Sequence, residues 1–134
     1  MPQSRQIAVI GAGLAGISCA RTLAQAGHRV RVFEKGSAAG GRMATRDSVF
    51  GGFDHGAQYF TVRDPRFERA LATAPDLCKR WSANTVQVLD EHGRVAAAGL
   101  PSSEAHWVPV PGMSALVRHW AQPLAQRDCL SAQT

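Results

Sequence analysis

Four unbroken apolar residues, Ile7 to Ile10, open the patterned part of the chain and predict a strand buried in a parallel sheet. An alanine-rich stretch from Leu14 to Ala26 follows, with Leu14, Ile17, Arg21 and Ala24 on one mixed face and Gly27 placed as a C-terminal stop, which predicts a helix. His28 to Glu34 then alternates weakly and predicts a second strand. Strand, helix and strand in that order predict a βαβ unit.

The later pattern is more broken. Asp64-Pro65 predicts a helix start, with Asp64 as cap and Phe67, Ala70 and Leu71 as its apolar face. Pro75 interrupts it, and Leu77 and Trp81, one turn apart, predict a second short helix over Asp76 to Trp81. Val86 and Val88 alternate before Asp90-Glu91-His92-Gly93, and Arg94 to Ala97 return, which predicts a hairpin. Trp107 to Val110 form an extended segment that Pro109 confines to an edge or a break. After the Pro111-Gly112 turn, Met113, Leu116, Val117 and Trp120 fall at i, i+3, i+4 and i+7 and predict a packed amphipathic helix that Pro123 stops. Leu124 to Thr134 show no strand pattern.

Chemistry enters between the first strand and the first helix, where Gly11-Ala12-Gly13-Leu14-Ala15-Gly16 supplies a G-x-G-x-x-G loop in the context that gives the motif meaning. Gly11 serves the tight turn, Gly13 leaves room for a pyrophosphate against the backbone, and Gly16 lets helix and strand lie close. Amides at the helix start point at the phosphates. Glu34 stands 18 residues after Gly16, at the end of the second strand, where a carboxylate accepts hydrogen bonds from both ribose hydroxyls and repels a 2′-phosphate. The alternative to phosphate binding is a tight turn in an ordinary βαβ unit.

A second glycine-rich loop follows Glu34 and Lys35. It runs from Gly36 to Arg46 and contains Gly40-Gly41-Arg42-Met43, where the glycine pair permits close approach to a dinucleotide and Arg42 offers a planar fork of donors to a phosphate. The bland reading of Arg42 is a solvated loop cation. Phe53 to Phe60, FDHGAQYF, reads as an aromatic-edged strand whose Gly56 permits a close neighbour. His55 there is either a satisfied strand residue or a group with a direct chemical role.

Composition narrows the picture only a little. A chain of 134 residues with 45% apolar content is the size of one domain and can bury a core. The net charge of +5 comes from dispersed arginines with no basic run interleaved with aromatics, which argues against a nucleic-acid partner. Cys19, Cys78 and Cys129 lie far apart, and the five histidines show no ligand spacing, so no metal site is expected and a reducing compartment is. Arg5 before the apolar run to Ala20 imitates a secretory leader, but a leader has no need of glycines at these spacings. No stretch is long enough to cross a bilayer. A cytoplasmic protein with no membrane partner is the expectation, and the oligomeric state is left open.

GAGLAG with Glu34, then GGRMATR, then FDHGAQYF, and later PVPGMSALVRHWA, together resemble the N-terminal part of the flavin-containing amine oxidase superfamily, most closely its bacterial renalase-like branch. The resemblance covers nearly everything from Gln6 to about Ala121. It implies an α/β fold, a Rossmann-like βαβ FAD-binding unit over residues 1–61, the beginning of an α+β substrate-domain insertion over 62–105, and a return segment with a helix over 106–134. It implies FAD as the cofactor. Gly11, Ala12, Gly13, Leu14, Ala15 and Gly16 would surround the diphosphate. Glu34 would hold the adenosine ribose, Gly41 with Arg42 would lie along the diphosphate toward the flavin, and Lys35, Gly40 and Met43 would be further cofactor-binding residues. The stretch Asp54 to Tyr59 would approach the isoalloxazine, with His55, Gly56, Ala57 and Gln58 as its cofactor-binding residues.

By the same resemblance the activity is that of an FAD-dependent oxidoreductase. Hydride passes from a small-molecule amine or dihydronicotinamide to the flavin, and oxygen reoxidises it. No catalytic acid or base is assigned. Family members are more than twice as long, so the chain reads as an N-terminal fragment or truncated product that binds FAD weakly or not at all by itself. Two other readings stand beside it: an NAD(P)-binding module, which leaves GGRMATR and FDHGAQYF unexplained, and a non-catalytic remnant.

Overall fold

The computed structural model describes residues 3–81, 87–97, 104–125 and 130–132. In chain order its elements are β1 (Gln6–Ile10), α1 (Leu14–Gln25), β2 (Arg29–Glu34), β3 (Thr45–Ser48), β4 (Gly51–Asp54), β5 (Phe60–Thr61), α2 (Pro65–Leu71), β6 (Cys78–Arg80), β7 (Val88–Leu89), β8 (Val95–Ala97), β9 (His106–Pro109), α3 (Ser114–Ala125) and β10 (Leu130–Ala132), with a 3-10 turn at Gly41–Met43. Backbone proximity divides the chain into two units, Met1–Gln58 with Pro109–Thr134, and Tyr59–Val108.

The first unit is built on a parallel sheet in the order β1-β2-β10. Ile7 pairs with Val30 and Val9 with Val32, so these four share one face. Val30 and Val32 are buried there. α1 and α3 contact each other and lie over the strands, with Ile17 and Ala20 from α1 and Leu116, Val117, Trp120 and Leu124 from α3 completing the core. Each large side chain in that set gains roughly 1.5–3 kcal/mol from leaving water. The guanidinium of Arg21 sits 5.1 Å above the Trp120 ring, and partial burial lowers its pKa.

The other face is open. Gln6, Ala8, Ile10, Arg29, Arg31 and Phe33 all point away from the core, and Ile10 is 81% exposed. The expectation of a fully buried first strand is therefore corrected: β1 lies at the sheet edge and is covered on one face only.

Three further expectations change at the C-terminal end and in the middle. Pro123 does not stop α3, which continues to Ala125. A proline in the last turn forgoes one backbone bond, and burial of Leu124 keeps the helix going. Leu130–Ala132 form a strand after all, paired with Val32 to Glu34, and three residues are too few to show a period. The Asp76 to Trp81 helix is not found. Residues 75–77 make a turn, and Cys78–Arg80 extend as β6 beside β9, with the Trp81 amide donating to the His106 carbonyl at 2.8 Å.

The second unit holds the sheet β5-β9-β6, the helix α2 and the hairpin β7–β8. Asp64 caps α2 by accepting from the Arg66 amide at 2.8 Å, as the sequence predicts. The Arg66 guanidinium on the same carboxylate pulls its pKa down to about 2. Asp90 organises the β7–β8 turn by accepting from the His92 and Arg94 amides; Val86, the hairpin's expected first residue, lies outside the described residues. The Phe60 ring meets Phe67 edge-on at 5.4 Å, and Tyr59 stacks on His106 at 4.2 Å.

Candidate dinucleotide-binding site

The glycine loop leaves β1 at Gly11, whose amide donates to the Phe33 carbonyl at 2.7 Å. α1 then starts with Gly13 at its N-cap, no side-chain cap and no acidic residue in its first turn. The first-turn amides of that helix are consequently available to a ligand. Gly16 is required by packing, because a Cβ there would collide with the Gly11 carbonyl oxygen.

The second glycine loop is stitched to the first. The Gly40 amide donates to the Ala12 carbonyl at 3.0 Å, and Gly13 and Gly40 form an isolated parallel bridge. Gly41, at φ 58°, approaches so closely that its Cβ would stand 3.1 Å from the Gly13 Cα. The FDHGAQYF stretch is drawn in as well, and this corrects its expected form. The strand ends at Asp54 and resumes at Phe60, because the Ala57 amide donates to the Arg42 carbonyl at 2.9 Å and Gly56 lies directly against that carbonyl.

These three segments enclose a groove of about 840 Å³ lined by Gly13, Leu14, Ala15, Ser18, Gly40, Gly41, Arg42, Met43, Gly56 and Ala57. Nine of those ten are residues that the sequence singles out. Ser18 is the addition, and its position one turn beyond Leu14 and Ala15 on α1 is the pattern that points to it. Gly11, Ala12 and Gly16 shape the turn from behind the lining, while Lys35, His55 and Gln58 are exposed and outside it.

Glu34 has a task that its ribose assignment does not include. One carboxylate oxygen accepts from the Ala12 amide and the other from the Gly36 amide, both at 2.7 Å. The Ala12 bond, then the Gly36 bond, lower its pKa below the usual 4.5, so the group is ionised at neutral pH. A carboxylate oxygen accepts two hydrogen bonds, so each oxygen keeps one lone pair for a ribose hydroxyl.

On another side of the unit, Asp54 Oδ1 accepts from the Thr45 hydroxyl at 2.6 Å and from the Met113 amide at 3.0 Å, and Thr45 Oγ1 accepts from the Ser114 amide at 3.1 Å. The β3–β4 hairpin thereby caps α3. Neither Thr45 nor Asp54 is legible as a cap in sequence, since they lie about sixty residues before the helix.

Residues 9–74 match the model of the NAD(P)-binding Rossmann-like domain. The fold is Rossmann-like. Putrescine oxidase bound to putrescine superimposes on 75% of this chain and 22% of its own with a TM-score of 0.54 at 21% identity, a likeness of fold. Among curated relatives, hydroxyneurosporene desaturase of Cereibacter sphaeroides is 42% identical over 59 residues, which are 44% of this chain and 12% of the desaturase. L-amino acid oxidase of Bothrops pictus is 46% identical over 41 residues, 31% of this chain and 8% of the oxidase. The Rossmann-like chain thus spans about a tenth of those relatives' length.

Among the described residues no group of three or more His, Cys, Asp or Glu is placed to hold a metal ion, and no helix is long and apolar enough to cross a membrane.

Proposed function

We propose that the chain is the FAD-binding part of a flavin-dependent oxidoreductase of the amine oxidase type, close to its renalase-like branch. The observation that carries the reading is the groove made jointly by both glycine loops and the Gly56-Ala57 turn. A dinucleotide needs uncapped helix amides for its diphosphate, a cation beside them and an ionised acid for its ribose; the uncapped start of α1 and Arg42 at the groove support that reading, as does Glu34, which does not line the groove but holds the Ala12 amide of the first loop. Gly41 and Gly56 extend the backbone-lined wall beyond the first loop, as a longer flavin dinucleotide requires.

When bound, FAD would supply the redox chemistry for oxidising a small amine or dihydronicotinamide, with oxygen as the final oxidant. The residues of this chain bind and orient: the α1 amides and Arg42 hold phosphate, and Glu34 selects ribose hydroxyls over a 2′-phosphate.

The NAD(P) reading retains the support of the matched domain model. Titration calorimetry with FAD, NADH and NADPH separates the two. Tighter binding of FAD than of either nicotinamide is expected, with NADPH weakest; a nicotinamide that outcompetes FAD sinks the flavin assignment, and no binding by any of the three leaves the remnant reading in its place.

A further inference from the structure

Two-residue hairpin turns are ordinarily closed by glycine, asparagine or aspartate, which tolerate the backbone and the solvent there. The β3–β4 hairpin closes instead on Val49 and Phe50, which are 94% and 90% exposed. Ser48 braces the turn, its hydroxyl accepting from the Phe50 amide at 3.1 Å and donating to the Gly51 carbonyl at 2.9 Å. Two large apolar side chains are therefore presented to water on a fixed support.

The hairpin has two unlike faces. Pairing of Arg46 with Phe53 and of Asp47 with Gly52 puts Arg46 and Phe53 on one face, and Thr45, Asp47 and Asp54 on the other. The second face is engaged at its base, where Asp54 and Thr45 cap α3, while Asp47 nearer the tip is exposed. The first face and the tip together show Val49, Phe50, Phe53 and one cation, Arg46, with no carboxylate.

Charge follows the same division. The unit that bears the hairpin has nine Lys and Arg against four Asp and Glu, and the other unit six against six. The whole net charge of +5 therefore belongs to the unit with the apolar tip. An apolar wedge beside a cation, on a positively charged body, matches a surface that is apolar beneath an anionic layer.

We propose that the Val49-Phe50 tip enters the headgroup region of an anionic lipid bilayer, with Arg46 at the level of the phosphates. Such a contact is peripheral, so it needs no spanning segment, and the length criterion behind the expectation of no membrane partner does not bear on it. Neither signal suffices alone, and the two together give reversible attachment.

The test is co-flotation of the full chain with phosphatidylcholine vesicles, with and without phosphatidylserine. Binding to the serine-containing vesicles alone, weakening as salt rises, is expected. Val49→Ser with Phe50→Ser should lower partition at least about tenfold, and Arg46→Gln about fivefold. Arg94→Gln in the other unit should leave it unchanged. Both tip side chains lie outside the core, so the melting temperature checks that the variants remain folded. Failure of the wild type to float, or equal flotation of the double variant, overturns the proposal. A wild-type dimer that the double variant dissociates overturns it too, in favour of a contact between copies of the chain.

Discussion

The two units of this chain are held together by different means. Among the described residues the buried apolar side chains of the first unit come from β2, α1, α3, Met113 just before α3 and both glycine loops, whereas those of the second are Ala74 and Cys78. The second unit relies on strand pairing, the Asp64 cap and exposed or half-buried aromatic contacts such as Tyr59 on His106. The difference falls where the proposed dinucleotide groove would require it. A groove made of backbone amides works only if the loops cannot drift, and the helices behind them are fixed by close-packed side chains.

Truncating the first unit's core should separate the units most sharply. Trp120→Ala is expected to cost about 3–5 kcal/mol in denaturant unfolding, and half-buried Leu71→Ala in the second unit well under half of that. Equal losses would contradict the difference in packing between the two units. Next in size is Gly16→Ala, at about 1–3 kcal/mol, because the added methyl meets a backbone carbonyl that cannot yield. Flavin fluorescence should show weaker FAD binding by the same variant.

Asp54→Ala removes a cap and should cost about 1–2 kcal/mol, with α3 amides losing hydrogen-exchange protection first. Glu34 provides a pH-dependent contrast. Its folded pKa lies below 4.5, so its contribution is full above that value and is lost as pH falls through the folded one. Glu34→Gln should flatten the acid side of a plot of melting temperature against pH; an unchanged slope would mean that the two amide bonds contribute nothing. The smallest effect belongs to Arg63→Ala, which breaks the exposed pair with Glu104 and should leave the melting temperature where it was.

The groove was more legible than the sheet around it. Glycine spacing reports on backbone conformation directly, so GAGLAG and GGRM, separated by twenty-three residues, each announced a loop that the structure brings into contact. α3 was equally plain, because Met113, Leu116, Val117 and Trp120 repeat at helical period and are all buried. β10 and β6 were not, since each has three residues and owes its form to a partner strand. Glu34 was recognised by position but not by its double hold on Ala12 and Gly36, a loop geometry that no one-dimensional pattern encodes. The Thr45 and Asp54 cap depends on contacts 59 and 69 residues apart.

That cap also sorts ions. An α-helix N-terminus carries about half a positive charge, and among the described residues the first unit has two, at α1 and α3. The Asp54 carboxylate stoppers the one at α3, while Gly13 leaves the one at α1 bare. Under the proposed function a diphosphate would meet a single unshielded pole rather than two competing ones, since the start of α1 and Arg42 line the same groove.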